Sequence, residues 1–311
     1  MKPGVLIVGE LQPWDIEALS ERFDLHLYYA TEDKPAMLAR GRDAIQAIVT
    51  KGEVGADAAL MDALPHVRII ANYGVGYDLV DVAAARARGI PVTNTPDVLT
   101  EEVADMAFAL LLACARRIPA GDAWVRDGSW KRAAMPLQTR VWGKRMGIVG
   151  LGRIGSAIAR RAEAFRMPIS YSARTRKDVP YDWYPTPVAM SPHVDVLMVA
   201  AAGGAATRGL VDKAAIDALP PGTIFCNVAR GSVVDEAALL AALRERRIAA
   251  AGLDVFLNEP DIDPEFTTFD HVVLQPHNAS GTVETRKDMG RLMRENLEAA
   301  FDGRPLLTPV P

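Results

Sequence analysis

Three polar side chains with complementary chemistry stand just past apolar runs in the second half of this 311-residue chain. Arg230 follows the run Ile224–Val228, Glu259 lies a few residues beyond Gly252–Val255, and His277 comes soon after Val272–Leu274. In open parallel sheets ligands bind outside the carboxyl ends of the strands, so the three groups are expected to reach one ligand. An arginine offers a planar fork to a carboxylate. A histidine held by a glutamate is an acid that can give up a proton near neutral pH. His277 by itself would read as an ordinary loop histidine, and it is the company of Arg230, Glu259 and a glycine-rich turn that changes the reading. His26, His66, His193 and His271 stand in exposed-looking or strand-edge contexts without such neighbours.

That turn is Gly150-Leu-Gly152-Arg153-Ile154-Gly155, entered from the run Met146–Val149 and continued by a helical pattern to Phe165. The first glycine allows a tight turn, the second lets a pyrophosphate approach the backbone, and the third lets helix and strand pack closely. The phosphates would lie at the helix N-terminus, whose N–H groups and dipole favour anions. Sites for NAD usually carry an acidic residue about 20 residues past the first glycine to grip the ribose hydroxyls. Here the second strand, Ile169–Ser172, ends in a hydroxyl and is followed by Arg174-Thr175-Arg176-Lys177. With no carboxylate to repel it, a 2′-phosphate can be held there by charge-assisted hydrogen bonds. A solvated basic loop is the plainer alternative. The expected cofactor is NADP(H), with NAD(H) possible.

Other chemistries find little support. No two histidines lie three or four residues apart and neither Cys114 nor Cys226 has a neighbour of its kind, so no metal site is expected. A Gly-x-Ser-x-Gly nucleophile elbow is absent as well. With 35 basic against 39 acidic residues, the chain lacks the basic excess that nucleic acid or an anionic membrane surface calls for. The apolar run Met106–Ala115 falls well short of the ~20 residues that span a bilayer. Near the N-terminus, Val5–Val8 is shorter than a signal-peptide core. The two cysteines read as buried small hydrophobes of a reducing compartment, and a cytoplasmic location is expected.

Positioning these residues requires a sheet. Half of the chain is apolar, and its length suggests two domains. Short apolar runs alternate with helical patterns, which predicts βαβ units. Strands are expected at Val5–Val8, Leu25–Tyr28, Ala47–Val49, Arg68–Asn72 and Pro91–Thr93, with helices at Trp14–Phe23, Ala56–Leu64 and Val80–Arg88. A second series runs through Met146–Val149, Ile169–Ser172, Val194–Val199, Ile224–Val228, Gly252–Val255 and Val272–Leu274. Between them a bridging helix opens at Thr100, with Glu101 and Glu102 in its first turn and Arg116 and Arg117 at its end, charges that suit its dipole. The stretch Ile118–Thr139 reads as an irregular, partly helical arm whose Trp124 and Trp130 suit a partner subunit, so a homodimer is expected. A last helix, Val283–Phe301, can cross back to the first domain.

Four segments, GLGRIG at Gly150, NVARGSVVDE at Asn227, GLDVFLNEP at Gly252 and QPHNASGT at Gln275, resemble in order and spacing the D-isomer-specific 2-hydroxyacid dehydrogenase family. The likeness extends over nearly the whole chain. It implies an α/β fold of two doubly wound parallel-sheet domains with a cleft between. These are a flavodoxin-like substrate domain (1–98 plus 284–311) and a Rossmann cofactor domain (99–283). It implies catalytic work by Arg230, Glu259 and His277, with His277 protonating a carbonyl oxygen while Glu259 holds its other ring nitrogen. The substrate carboxylate would be oriented by Arg230 and by the backbone amides of Val75 and Gly76, in the segment Asn72–Asp78. Cofactor contacts are implied for Thr100, Gly150, Gly152, Arg153, Ile154, Gly155, Ser172, Arg174, Thr175, Arg176, Ala201, Thr207, Val228, Ala229, Arg230, Asp254, His277, Ser280 and Gly281. The basic stretch after Ser172 is similar to that of the NADPH-preferring glyoxylate and hydroxypyruvate reductases. The implied activity is therefore NADPH-dependent reduction of a small 2-oxo acid to the D-2-hydroxy acid. Two alternatives stand beside it: an NADH-linked enzyme for a larger keto sugar acid such as 2-ketogluconate, and a dinucleotide-sensing binding protein of the corepressor type. One departure is Ala202-Gly203-Gly204-Ala205, where many relatives have a proline-containing loop.

Overall fold

The structure, a computed structural model, describes residues 2–311 and divides into two units. One runs to Leu99 and resumes with Ser280–Pro311; the other is Thr100–Ala279. The first unit is built on β1 (Gly4–Ile7), β2 (Asp24–Leu27), β3 (Ile45–Lys51), β4 (Ile69–Tyr73) and β5 (Val92–Thr93). These strands pair in parallel in the order β2-β1-β3-β4-β5, the flavodoxin-like order. All residues of β1 and β4 are buried, which explains their unbroken apolar character, since such sheets are covered on both faces. Helices α1 (Pro13–Ser20), α2 (Lys34–Gly41), α3 (Ala58–Ala63) and α4 (Val82–Ala87) connect successive strands. Helix α2 escapes an apolar-run reading because only Gly41 in it is buried. Capping starts it: the Asp33 side chain accepts the Ala36 N–H at 3.0 Å, and Pro35 occupies the first turn.

The second unit carries β6 (Met146–Val149), β7 (Ile169–Ser172), β8 (Asp182–Tyr184), β9 (Val196–Val199), β10 (Ile224–Asn227), β11 (Ala250–Leu253) and β12 (Val272–Leu274). All seven are parallel, in the order β12-β11-β10-β9-β6-β7-β8. The order reverses between β6 and β9, and in Rossmann folds the crevice at that reversal receives the dinucleotide. Helix α5 (Thr100–Ala115) covers β10 and β11. At Gly252 the approach is close: an added Cβ would stand 2.9 Å from Leu110 Cβ. Cys114 and Cys226, both free, are buried in this unit. After α6 (Ile118–Arg126), the arm turns Trp124 onto itself, its Nε1 donating to the Ala133 carbonyl at 3.2 Å, while Val125, Trp130 and Leu137 are exposed. On α7 (Arg153–Ala164), Arg161 forks to Glu101 and Asp105 of α5, each at 2.7 Å. Helices α8 (Pro187–Met190), α9 (Lys213–Asp217) and α10 (Glu236–Arg244) pack in sequence against one another.

His271 stands directly before the edge strand β12, as a strand-edge context implies, but it is not exposed. Its side chain is only 7% exposed, set edge-on against Phe269 and beside Asp270, which pairs with both Arg117 and Arg246. Hydrogen bonds from those partners outweigh partial burial and hold the Asp270 carboxyl down at about 2.

The last helix, α11 (Val283–Phe301), belongs to the first unit and packs on β4 and α1. At Gly290 an added Cβ would stand 1.8 Å from Asp15 Oδ1, so the Asp15 carboxyl lies directly against the helix backbone. Burial there pushes Asp15 up to about 6 and the neighbouring Tyr73 phenol up to about 12. Among the described residues no helix is long and apolar enough to cross a membrane.

Candidate active site

The end of β10 delivers Arg230. Asn227, buried at the last strand position, shapes the turn: its Oδ1 accepts the Ala229 N–H and its Nδ2 donates to the Arg230 carbonyl, each at 3.0 Å. The Arg230 guanidinium donates to the Ala229 carbonyl at 2.8 Å. Gly231 then backs onto Phe256, whose carbonyl carbon would lie 1.9 Å from any added Cβ. Only glycine lets the Arg230 turn and the loop after β11 meet backbone to backbone.

That loop carries Glu259. Its Oε1 accepts the Phe256 N–H at 2.7 Å, and its Oε2 lies 2.5 Å from His277 Nδ1. An ionised carboxylate can only accept, so Nδ1 is assigned as the donor and Nε2 is the ring's other nitrogen. Burial alone would raise Glu259, but the His277 hydrogen bond and charge, the Phe256 N–H and the Arg230 charge outweigh it and hold the carboxyl below its ordinary range. His277 and Arg230 thus both act electrostatically on Glu259 within a single unit.

His277 sits in left-handed backbone, φ +50°, a region in which His and Asn are enriched. Asp254 holds it there. The Asp254 carbonyl accepts the His277 N–H at 2.8 Å, and its two carboxylate oxygens accept from Asn278 (2.8 Å) and Ala279 (3.0 Å). One residue, 1% exposed, therefore fixes three consecutive N–H groups. Burial raises the Asp254 carboxyl, and those two N–H groups offset it only in part.

The glycine turn has the shape that a dinucleotide needs. Gly150, at φ +93°, brings its Cα so near Ala201 that an added Cβ would stand 2.6 Å from the Ala201 Cα. At Gly155 an added Cβ would be 2.1 Å from the Gly150 carbonyl oxygen. At Gly152, the N-cap of α7, nothing lies within 4 Å of the added position, leaving the helix N-terminus open to a phosphate. Ser172 is buried, and its carbonyl accepts the Gly150 N–H at 2.9 Å. Arg174, Thr175 and Arg176 are exposed, yet their loop is pinned at both ends. Trp183 Nε1 donates to the Ala173 carbonyl at 3.0 Å, and the Lys177 N–H donates to the Tyr171 hydroxyl at 2.7 Å. Thr207 donates to the Ala202 carbonyl at 2.6 Å and so ties down the departing 202–205 loop. Thr100 opens α5, Arg153 and Ile154 open α7, and Ala201, Val228 and Ala229 lie buried just beyond β9 and β10. Ser280 and Gly281 precede α11.

In the first unit, Val75 and Gly76 follow β4. Asn72 Nδ2 donates to the carbonyls of Gly74 and Gly76, and Asn94 Nδ2 to that of Val75, all at 2.9 Å. A trans peptide points its N–H opposite its C=O, so the Val75 and Gly76 N–H groups are turned away from those side chains. Asn94, which supplies one of these three hydrogen bonds, gives no signal in the sequence beyond its place after β5.

Residues 108–279 match the family model described as D-isomer specific 2-hydroxyacid dehydrogenase, NAD binding domain. The chain is also 46% identical over 308 residues to glyoxylate/hydroxypyruvate reductase A of Arabidopsis thaliana, covering 99% of this chain and 98% of that protein. The chain belongs to the D-isomer-specific 2-hydroxyacid dehydrogenase family. Within the family it is 44% identical over 310 residues to 2-ketogluconate reductase of Gluconobacter oxydans, covering 99% of each. Among solved structures, the NADPH-dependent glyoxylate/hydroxypyruvate reductase of Sinorhizobium meliloti, in complex with NADP and malonate, superposes with a TM-score of 0.92 at 44% identity. That match covers 100% of this chain and 97% of the other. Membership makes this protein an oxidoreductase acting on CH–OH groups with a nicotinamide dinucleotide.

Proposed function

We propose that this protein reduces a small 2-oxo acid of the glyoxylate or hydroxypyruvate type to the D-2-hydroxy acid, with NADPH as reductant. The observation that carries the proposal is the Glu259–His277 pair at 2.5 Å, under the charge of Arg230 and on the same sheet as the dinucleotide turn. Bound NADPH supplies the hydride that reduces the carbonyl carbon. His277 Nε2 gives its proton to the carbonyl oxygen as negative charge develops there, and Glu259 stabilises the charged ring through Nδ1. Arg230 pairs with the substrate carboxylate, and the Val75 and Gly76 N–H groups are neutral donors of the kind a carboxylate accepts. The NADPH preference is supported by the buried Ser172 in place of an acid and by Arg174 and Arg176 on their pinned loop. Reduction of hydroxypyruvate is expected to give D-glycerate alone. Chiral separation of the product checks this, and L-glycerate or a racemate would contradict it.

A second reading, NADH-linked reduction of a larger keto sugar acid, draws on the 44% identity to the Gluconobacter oxydans 2-ketogluconate reductase. It differs from the first in the size of the substrate and in the cofactor, and a comparison of substrates with both cofactors separates the two.

A further inference from the structure

Two consecutive N–H groups in the loop after β11 are taken by two different carboxylates. Glu259 Oε1 accepts from Phe256, and Glu236 Oε2, reaching from the first turn of α10, accepts from Leu257 at 2.9 Å. Gly231 packs against the same Phe256–Leu257 peptide, where an added Cβ would lie 2.3 Å from the Leu257 nitrogen, so that peptide is held both by backbone packing and by the Glu236 side chain. Glu259 in turn anchors on the neighbouring Val255–Phe256 peptide, through the Phe256 N–H, and from there its Oε2 reaches His277 Nδ1. We propose that Glu236 is a positioning residue for the reaction: by holding the Leu257 N–H it aligns the Phe256–Glu259 turn, and through it the Glu259–His277 pair.

Glu236 occupies an unfavourable place for an ornamental residue. It is half-buried, and Glu259 and Asp263 both face it with like charge. Burial first, and those two carboxylates in addition, raise its pKa against the stabilising Leu257 N–H. A solvated helix-capping glutamate would avoid all three costs, and the N-cap of α10 is already supplied by Asp235, which accepts the Ala238 N–H at 3.0 Å. What remains for Glu236 is the loop. This role of Glu236 rests on Glu259 and His277 being the acid pair of the proposed function.

Two substitutions separate reach from charge. Glu236→Asp keeps the charge but withdraws the carboxylate by one methylene, whereas Glu236→Gln keeps an acceptor oxygen at full reach and loses the charge. Misplacing a reacting group by about 1 Å can cost up to 10²-fold. With glyoxylate and NADPH, E236D is expected to lose about tenfold or more in kcat while the KM for glyoxylate changes less than about threefold. Its rate should also fall off at lower pH on the alkaline side than that of the wild type. Because Asp keeps the charge, that moved limb reports lost alignment of Glu259 on His277. E236Q should stay within about threefold of wild-type kcat, since the acceptor remains. A readout independent of turnover is the low-field proton NMR resonance of the His277 Nδ1–H, assigned by its loss in His277→Asn. It should be weakened or shifted in NADPH-bound E236D and retained in E236Q. The proposal is overturned if E236D keeps wild-type kcat, pH limb and resonance, or if E236Q is damaged as much as E236D. A wild type that reduces no 2-oxo acid would overturn the functional reading instead, and the resonance would still decide the role of Glu236.

Discussion

Replacing His277 with asparagine or alanine is expected to lower kcat for 2-oxo acid reduction by about 10²- to 10⁴-fold, the usual contribution of a well-placed general acid. NADPH should still bind, as read by quenching or enhancement of its fluorescence. Asparagine is the cleaner replacement. His277 lies at φ +50°, and asparagine tolerates that backbone well, whereas alanine adds strain of about 1–2 kcal/mol to a turn that Asp254 must hold. If both variants lose turnover alike, the loss belongs to the proton and not to the turn. Turnover within about fivefold of wild type in His277→Asn would remove His277 from the chemistry.

Arg174→Ala is expected to raise the KM for NADPH by about ten- to a hundredfold and to leave that for NADH nearly unchanged. A hydrogen bond to a charged group is worth roughly 1.5 to 3 kcal/mol, and every 1.4 kcal/mol is tenfold. Arg174 and Arg176 are exposed, and neither forms an ion pair among the described residues, so their charge is available but screened. The gap between the two cofactors should therefore narrow as salt is raised from about 0.05 to 0.5 M. Steady-state kinetics with both cofactors at two ionic strengths checks both parts. Equal loss with NADH and NADPH would mean that Arg174 supports the loop and reads no phosphate.

Much of this architecture was legible because its signals are local. Continuous apolar strands such as Met146–Val149 and Val196–Val199, and the glycines at 150, 152 and 155, declare a parallel sheet and a phosphate turn without reference to anything distant. The last helix follows its apolar period from Val283 to Phe301, the same limits as the sequence reading. Strand β8 escaped because Asp182-Trp183-Tyr184 is short, lies at the sheet edge and has no buried residue. Its Trp183 nevertheless fixes the loop on which the cofactor argument rests.

Within the site, Arg230, Glu259 and His277 stood out as residue types at strand ends, and Asp254 as an implied cofactor contact, but the backbone bonds that Asp254, Asn94 and Glu236 make did not. Asp254 spends both carboxylate oxygens on the His277 turn, Asn94 holds the Val75 carbonyl from another strand, and Glu236 reaches a peptide far along the chain. Each is a polar residue whose partner is a backbone group brought close only by tertiary packing. No period, spacing or charge pattern records such a bond.

Whether this family member is an NADPH-dependent reductase of small 2-oxo acids is decided by one set of initial rates. Purified wild-type protein is assayed with glyoxylate, hydroxypyruvate and 2-ketogluconate, each against NADPH and NADH, by loss of the reduced-nicotinamide absorbance. The highest kcat/KM is expected with glyoxylate or hydroxypyruvate and NADPH, with NADH at least about tenfold poorer on the same substrate. A higher kcat/KM with NADH, or with 2-ketogluconate over both small acids, would contradict it.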